Sequence, residues 1–422
     1  MSTSSQKWRD PADAISLIRS GMTVGLGHIG AEPTSLTSAL WQRGAELRDV
    51  TLLSGMMLTG YPFLSDSLRE SFRLKTWFMP GSLLGPDANV AADYLPFDWI
   101  QTARFLSRGK IDVVLIQVSE ADSHGFHSLG ISVGQHLPMI RGARLVIAEV
   151  NPQMPRTGGD ALIHQSRLDI LVKADHPLIP FPHRTGDAGD AAIARNVAGY
   201  IKDGATLQFG IGTIPGAVLD CLIEEGRRDL TIHSQVTDPA RRLIEAGCCP
   251  SRSSIARVGE VLGSLELYAW ADRNPALDMV DAFGTHSPDM LAKIRNFVSV
   301  NSALEIDLYG QVNSESLNGK QIGAIGGSLD FAIGGQFADN LAIIALRSET
   351  SRGISRIVPC LQAGPVTTQR SLVQIVVTEN GAADLRGLSV SERAIALAGL
   401  AAPDKREDLL RAAHEIGKGQ RP

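Results

Sequence analysis

Two stretches of the chain repeat one another, and this repeat restricts the possible fold more than any other feature. Residues 21–55 begin GMTVGLGHIGAEP and end DVTLLSG, while residues 204–235 begin GATLQFGIGTIP and end DLTIHSQ. A segment with the apolar spacing of a helix precedes each copy, AISLIRS before the first and AIARNVAGYIKD before the second. The repeat therefore predicts two related α/β halves. At its last position the first copy has Gly55, whereas the second has Gln235.

Helical and strand patterns alternate along the whole chain. The runs IDVVLIQVS (111–119) and RLVIAEV (144–150) are almost continuously apolar, which is typical of parallel strands covered on both faces. The second half repeats this pattern in ATLQFG, DLTIHS, NLAIIAL and VQIVVTE. The predicted fold class is α/β, with mainly parallel sheets and two domains related by internal duplication. A linker at 181–190, rich in Pro, Gly and Asp, is predicted to join a domain at 1–180 to a domain at 191–422.

Length and charge exclude several classes of protein. A chain of 422 residues exceeds one ordinary core and predicts two to three domains. A net charge of −5 argues against a nucleic-acid partner, because phosphate binding normally needs a basic excess. The sequence has no apolar run of membrane-spanning length and no apolar signal region near its start, so neither a membrane partner nor secretion is predicted.

The cysteines argue against both a disulfide framework and a metal site. Cys221, Cys248, Cys249 and Cys360 form no CxxC pair and show no Cys/His ligand spacing. Adjacent cysteines are poor partners for one another, so the pattern predicts reduced thiols, a cytoplasmic location and no bound metal.

Two glycine-rich turns could offer backbone N–H groups to a ligand. The turn GIGTIP (210–215) follows a strand and opens an apolar helix, so its N–H groups could meet a phosphate or a developing oxyanion. No Lys follows it, so it is not a P-loop, and a tight turn without a ligand is the alternative. The segment GAIGGSLDF (323–331) is more apolar than a flexible linker and is a candidate backbone oxyanion site.

Polar residues follow several of the predicted strands. Ser119, Asp122 and His124 lie close together in sequence, but members of a catalytic triad normally meet through the fold, so loop hydrogen bonds are expected there. Arg356, in SRIVP, and Glu379, in VTENG, also adjoin strands. An arginine at such a point could bind a carboxylate or phosphate, and a surface salt bridge is the alternative.

Taken together, these motifs resemble the acetyl-CoA hydrolase/transferase family, which includes the 4-hydroxybutyrate and butyryl-CoA:acetate CoA-transferases. The resemblance covers nearly the whole chain and is carried by VSEADSHGFHSLG (118–130), AEVNPQMPRTGGDALIH (148–164), GATLQFGIGTIPGAV (204–218), DLYGQVNSES (307–316), IGGSLDF (325–331), SRIVP (355–359), VTT-R (366–370) and VTENGAADLRG (377–387). Each motif alone is unspecific, but their order is specific. The resemblance implies two CoA-transferase-type α/β domains, an acyl-CoA thioester as substrate and a small carboxylate as acceptor. It further implies a homodimer with no metal and no permanently bound cofactor.

The resemblance also implies a mechanism and a set of site residues. In the family, the glutamate of an H-[ST]-E motif attacks the thioester, and an acyl-glutamyl anhydride and a glutamyl-CoA thioester follow in a ping-pong transfer. Gln235 matches that glutamate, and Gly326 and Gly327 match the oxyanion loop. The thioester is thus expected in a crevice between the two halves, with side chain 235 directed at its carbonyl carbon. The residues assigned to substrate or CoA binding are Gly210, Gly212, Ile214, His233, Ser328, Arg356 and Glu379.

The chain departs from the family at the catalytic position, because it has Gln235 where the family has glutamate. An amide is neutral and a poor nucleophile, and loss of a covalent nucleophile commonly costs several orders of magnitude in rate. Three interpretations remain open. The natural enzyme has Glu at 235 and this chain is a substituted form. Alternatively, Gln235 is native and another base serves a hydrolase or other acyl-CoA-processing enzyme, or the protein is a non-catalytic acyl-CoA binder.

Glu260, in RVGEVLGS, is the candidate for that other base. The matching family segment is usually apolar at this position, and a carboxylate in an apolar strand near a cleft can have a raised pKa. The competing interpretation is an ion pair with Arg252 or Arg257. A second departure is GPDANVAADYLP (85–96), which lacks the arginine of the family's G-x-x-A-R stretch, so the acyl specificity is left open.

Overall fold

The computed structural model describes residues 7–64, 67–79, 92–182, 185–362 and 364–419. Its α-helices are α1 (Pro11–Ile15), α2 (Thr34–Gln42), α3 (Trp99–Leu106), α4 (His136–Gly142), α5 (Ala188–Ala198), α6 (Thr213–Glu224), α7 (Asp238–Glu245), α8 (Leu265–Ala271), α9 (Ala282–His286), α10 (Pro288–Leu291), α11 (Ser328–Gly334), α12 (Val390–Gly399) and α13 (Arg406–Gly417). Short 3-10 helices lie at Ile29–Ala31, Gly44–Glu46, Pro62–Leu64, Gly159–Ala161 and Gln165–Arg167.

The strands alternate with these helices along the chain. They are β1 (Thr23–Leu26), β2 (Val50–Ser54), β3 (Phe72–Thr76), β4 (Ala92–Tyr94), β5 (Ile111–Val118), β6 (Phe126–Ser128), β7 (Ala143–Val150), β8 (Leu162–His164), β9 (Ile170–Lys173), β10 (Thr206–Phe209), β11 (Thr231–Thr237), β12 (Ala256–Leu262), β13 (Leu277–Met279), β14 (Phe297–Ser302), β15 (Glu305–Asp307), β16 (Val312–Asn313), β17 (Ser316–Leu317), β18 (Lys320–Gln321), β19 (Leu341–Ala345), β20 (Ile357–Val358), β21 (Ile375–Thr378) and β22 (Gly381–Asp384). The alternation confirms the predicted α/β class.

The first large sheet is entirely parallel, with strand order β4-β3-β2-β1-β5-β7-β9. Val24 of β1 pairs with Leu52 of β2 on one side and with Val113 of β5 on the other. The order of strands reverses at β1, and doubly wound sheets bind their ligands at the carboxyl ends of strands near such a switch point.

The second large sheet repeats this order and confirms the internal duplication. Its strands run β13-β12-β11-β10-β14-β19-β21-β22. With β10 in the place of β1, the first seven strands follow the sequence of the first sheet, and only β22 is additional. It pairs antiparallel with β21. The two ends of the repeat differ in packing, because a Cβ on Gly55 would lie 3.0 Å from the indole nitrogen of Trp77.

The chain forms two compact units. One comprises Met1–Pro182, Ser234–Asp238 and Arg252–Thr285, and the other comprises His183–His233, Pro239–Ser251 and His286–Pro422. The core of the first unit includes Leu26, Leu52, Phe72, Leu115 and Ile147, and that of the second includes Ile306, Ile344, Val376 and Leu397. The domain limits at 180 and 191 remain predictions.

The first helix is shorter than its sequence predicts. The apolar helical pattern AISLIRS extends to Ser20, but α1 stops at Ile15. The guanidinium of Arg43 donates to the carbonyls of Ile15 and Ile18, at 2.6 and 3.1 Å. These bonds satisfy carbonyls that a longer helix would have paired with its own N–H groups.

Within the described parts of the chain, no helix is long and apolar enough to cross a membrane. No group of three or more His, Cys, Asp or Glu side chains among these residues could hold a metal ion. All four cysteines are free thiols. Burial raises the pKa of Cys249 to about 12, so this thiol stays protonated and unreactive at neutral pH.

Candidate active site

Gln235 lies within β11, two residues before the strand ends, whereas the repeat predicted it at the strand's last position. The strand continues because Val236 is fully buried, and the Gln235 side chain itself is half-buried. Ser234, which is 8% exposed, has a φ of 80°, a left-handed conformation that is uncommon for a residue other than glycine. Strain of this kind costs about 1–3 kcal/mol and is concentrated at functional sites.

Asp238, the first residue of α7, ties the end of β11 to the end of β12. Its carboxylate accepts hydrogen bonds from the N–H and the hydroxyl of Ser264, at 2.9 and 2.6 Å. A Cβ on Gly263 would clash with the same carboxylate, so only glycine fits there. Asp238 follows Gln235 by three residues, and Gly263 follows Glu260 by three. Gln235 and Glu260 therefore lie on adjacent strands, each three residues before this connection.

Glu260 is an isolated buried acid in β12. It is 5% exposed, and neither carboxyl oxygen has a hydrogen-bond partner among the described residues. Burial raises its pKa to about 8, and the nearby Ser132 hydroxyl and Gly134 N–H offset only part of that rise. Neither group is a regular donor to the carboxyl, because the Gly134 N–H already donates to the carbonyl of Gly259 at 3.1 Å. At pH 7 the carboxyl is mainly protonated.

The predicted alternative, an ion pair of Glu260 with Arg252 or Arg257, is wrong. Arg257 instead binds Asp278 of β13 at 2.5 Å and donates from Nε to the carbonyl of Gly284 at 3.3 Å. Arg252 is exposed, while the carboxyl of Glu260 is enclosed. The strand therefore carries its acid without a compensating cation.

Segment 131–134 of the first unit pairs with β12 beyond the point where β13 ends. The Val133 N–H donates to the carbonyl of Gly259, and the Val261 N–H donates to that of Ile131, both at 2.8 Å. These bonds set Ser132 opposite Glu260 in an antiparallel bridge. A Cβ on Gly134 would lie 2.7 Å from Oε1 of Glu260, so glycine at this position leaves the space that the carboxyl fills.

The GIGTIP turn lies in the second unit and joins β10 to α6. The Gly210 N–H donates to the carbonyl of Val300 at 3.1 Å. Gly212 has a φ of 132° and precedes a helix that no side chain caps. Nothing crowds either glycine, so the backbone conformation at Gly212 is what requires glycine. Ile211 is exposed and Ile214 is buried, which anchors the helix and leaves the turn at the surface.

The second glycine turn precedes α11 in the same unit. Gly326 has a φ of 55° and open space where a Cβ would lie. A Cβ on Gly327 would lie 2.5 Å from Nε2 of His286 and 2.8 Å from the ring of Phe331. The hydroxyl of Ser328 donates to the carbonyl of Ile325 at 2.7 Å and holds the turn closed. Gly326 therefore serves the backbone conformation, and Gly327 serves close packing.

A cluster of four rings lies next to Gly327, and two of them, His286 and Phe297, were not predicted. His286 stacks obliquely on Phe331 at a centroid distance of 4.4 Å, and His233 meets Phe297 edge to face at 5.7 Å. Burial, and then the charge of His233, hold the pKa of His286 well below its usual value of 6.5, so His286 is neutral at pH 7. The sequence around His286 does not predict that its ring packs against Gly327 and Phe331, because these contacts come from residues distant in sequence.

Arg356 has no counter-ion among the described residues of its unit, so the surface salt bridge considered for it is absent. Its nearest acceptors are the carbonyls of Ala303 and Leu304, at 3.5 and 3.4 Å, and its Nε is buried without a partner. Burial lowers its pKa and neighbouring Arg347 lowers it further, but a guanidinium remains charged. Glu379 is committed elsewhere, since it accepts from the N–H and hydroxyl of Ser348 at 3.0 and 2.6 Å.

The Ser119, Asp122 and His124 group forms loop hydrogen bonds, as expected. Asp122 accepts from the N–H groups of His124 and Phe126 at 2.9 Å each, and pairs with Arg156 at 2.6 Å. The hydroxyl of Ser119 donates to the carbonyl of Glu120 at 2.9 Å. The sequence departure noted at 85–96 lies outside the described residues as far as residue 91.

Comparison with known proteins gives agreement over almost the whole chain. Residues 2–182 match the sequence model of the acetyl-CoA hydrolase/transferase N-terminal domain, and residues 263–413 match that of the C-terminal domain. The chain is 36% identical to the 4-hydroxybutyrate coenzyme A transferase of Clostridium kluyveri, over 94% of this chain and 95% of that protein. RipA from Yersinia pestis has a TM-score of 0.91 at 32% identity, and the 4-hydroxybutyrate CoA-transferase of Porphyromonas gingivalis has a TM-score of 0.82 at 30% identity; each alignment covers 98% of both chains.

Proposed function

Since the chain belongs to the acetyl-CoA hydrolase/transferase family, whose members are enzymes, we propose that it acts on an acyl-CoA thioester in a CoA-transferase-type reaction with a small carboxylate as acceptor. The observation that carries this proposal is the near full-length similarity to a 4-hydroxybutyrate coenzyme A transferase. The resemblance also favours a homodimer, and the four free thiols favour a cytoplasmic location.

The second unit supplies groups suited to a thioester and its phosphates. The N–H groups of the Gly326-Gly327 turn would stabilise the oxygen that becomes negative as the carbonyl carbon turns tetrahedral. The exposed Gly210-Ile211-Gly212 turn would approach the substrate through its backbone. Arg356, a partly buried cation without a counter-ion, would receive an anionic group.

Position 235 would face the thioester carbonyl, and the amide of Gln235 limits which reactions this side chain can perform. An amide can donate a hydrogen bond to the acyl oxygen, but it cannot form the anhydride through which a glutamate transfers CoA. Transfer by the chain as it stands should therefore be slow. The strained backbone at Ser234 supports a reactive role for the residue that follows it.

A direct assay tests the proposed function. Purified protein is incubated with butyryl-CoA or 4-hydroxybutyryl-CoA and acetate, and acetyl-CoA is followed by mass spectrometry. Binding is measured separately, as the rise in unfolding temperature that acyl-CoA produces. A ligand present at a hundred times its Kd adds about 2.7 kcal/mol to stability, so binding is visible even without turnover. A rise in unfolding temperature without any product would favour the non-catalytic binder, and no effect of any CoA thioester would refute the proposal.

Replacement of Arg356 by Leu should weaken binding of acyl-CoA by about ten- to a hundred-fold, which is the range for a lost charged hydrogen bond. The measurement is the Kd of acyl-CoA by calorimetry. An S-acyl-N-acetylcysteamine thioester lacks the phosphates, so its affinity should be unchanged if Arg356 binds a phosphate. Equal losses for the two ligands would assign Arg356 to the acyl end instead, and the exposed Arg352→Leu serves as the matched control.

A further inference from the structure

We propose that Glu260 is the working carboxylate of this chain, a general base that activates water to hydrolyse the acyl-CoA thioester. This rests on the proposed function, because it requires an acyl-CoA carbonyl at position 235. In this proposal Gln235 orients the acyl oxygen, and the carboxylate of Glu260 acts from the adjacent strand β12.

The position of Glu260 favours action through a water molecule. The Asp238–Ser264 bonds join the segments that follow β11 and β12, and Gln235 and Glu260 lie on these two adjacent strands. Neighbouring strands lie about 4.8 Å apart. A carboxylate on the adjacent strand would therefore act on the thioester carbonyl through a water molecule and not as the nucleophile itself. Glycosidases follow the same rule, since those that act through water have the more widely separated carboxylates.

The surroundings of Glu260 show that its carboxyl has no structural partner. Both oxygens lack hydrogen bonds, and Arg257 on the same strand is bound to Asp278. A buried unsatisfied carboxyl destabilises a fold, so its presence calls for another role. Gly134 supports that role, because any side chain there would meet the carboxyl.

No cation neutralises the carboxyl from the elements packed against it, as far as these are described. The covering segment 131–134 presents Ser132 and Gly134, and His136, just beyond it, is a neutral imidazole whose Nδ1 bonds the carbonyl of Ser132 at 2.9 Å. On the following helix α8, Tyr268 stays protonated, because its pKa is raised to about 12 by burial, with a small contribution from Glu260. The base is therefore active only in the fraction of molecules that has lost the Glu260 proton.

The reaction balances with water as the only co-reactant. Ionised Glu260 takes a proton from water while the water oxygen bonds to the thioester carbonyl carbon. The tetrahedral intermediate collapses, the carbon–sulfur bond breaks, and the thiolate receives the proton from Glu260. The products are coenzyme A thiol and the free acid, and Glu260 is regenerated.

The test measures release of free thiol from acyl-CoA without an acceptor, for the parent protein and for Glu260→Gln. The substitution should lower kcat by about 10²- to 10⁴-fold, the usual contribution of a general base, and leave the Kd of acyl-CoA unchanged. In the parent, kcat should increase with pH and reach half its maximum near pH 8. Glu260→Gln should retain no such pH dependence, whereas Glu260→Asp should retain its shape at a lower rate.

Three outcomes would overturn the proposal. The first is a kcat for thiol release in Glu260→Gln equal to that of the parent, and the second is the same pH profile in both proteins. The third is a covalent acyl or CoA adduct on Glu260 during turnover, which would make Glu260 a nucleophile. Glutamine has the shape of protonated glutamate, so the variant should fold, and its acyl-CoA Kd and circular dichroism verify this. If the parent binds no acyl-CoA, the proposed function fails. If it binds or transfers but releases no thiol without an acceptor, only the present inference fails.

Discussion

Gln235→Glu is expected to raise acetate-dependent CoA transfer by about 10³-fold or more. The substitution is nearly isosteric and places an ionisable oxygen nucleophile at the position proposed to face the thioester, and loss of such a nucleophile usually costs at least that factor. The measurement is the initial rate of acetyl-CoA formation from butyryl-CoA and acetate. Gln235→Asn keeps the amide and should gain nothing, which separates the carboxylate from a change in side-chain size.

The gain should depend on Glu260. If the two carboxyls on the adjacent strands β11 and β12 lie close together, each raises the pKa of the other, and they titrate as a coupled pair. Transfer by Gln235→Glu should therefore increase with pH, and the double variant Gln235→Glu/Glu260→Gln should be the more active of the two at pH 7. An inactive Gln235→Glu together with an inactive double variant would show that side chain 235 does not face the thioester.

Glu260→Gln should stabilise the protein increasingly as pH rises from about 4.5 to 8, and this is the second large effect. The pKa of Glu260 is about 8 in the folded protein, against 4.5 for an ordinary glutamate. Between those values the folded state holds a proton that the unfolded state has released, so the free energy of unfolding falls as pH rises through that window. Each pKa unit corresponds to about 1.4 kcal/mol, so removing this acid should gain on the order of 4 kcal/mol at pH 8 and almost nothing at pH 4.

Urea unfolding at pH 4.5, 6.5 and 8 checks this prediction. The difference between Glu260→Gln and the parent should grow steadily with pH. The exposed Glu266 of α8 provides a matched control, and Glu266→Gln should follow the parent at every pH. A constant difference across the range would mean that Glu260 is not the buried acid described above.

How far the sequence predicts this molecule depends on whether a feature is local. The repeat led directly to two sheets with the same strand order, because apolar runs of strand length are local signals. Strand β2, 50–54, follows the apolar pattern of its segment, DVTLLSG. Helix α1 does not, because the side chain that takes its last carbonyls comes from Arg43, far along the chain.

The candidate site shows the same division. Gly212 and Gly326 could be recognised from the sequence, because a backbone with positive φ favours glycine and both glycines lie in short glycine-rich turns. The contact of Gly134 with Glu260 could not, because the two residues are separated by more than a hundred positions. The ion pair expected from Arg257 failed for a related reason, since the sequence does not show that Asp278 of β13 lies nearer.

The indole of Trp77 distinguishes the two copies of the repeat. In the copy that ends at Gly55 this ring lies against the glycine, so a larger residue at position 55 would press on the indole. The first copy of the repeat therefore cannot carry a larger side chain at this position unless the ring moves, whereas the second copy carries Gln235. Introducing a carboxylate at position 55, the counterpart of position 235, would therefore require a smaller residue in place of Trp77.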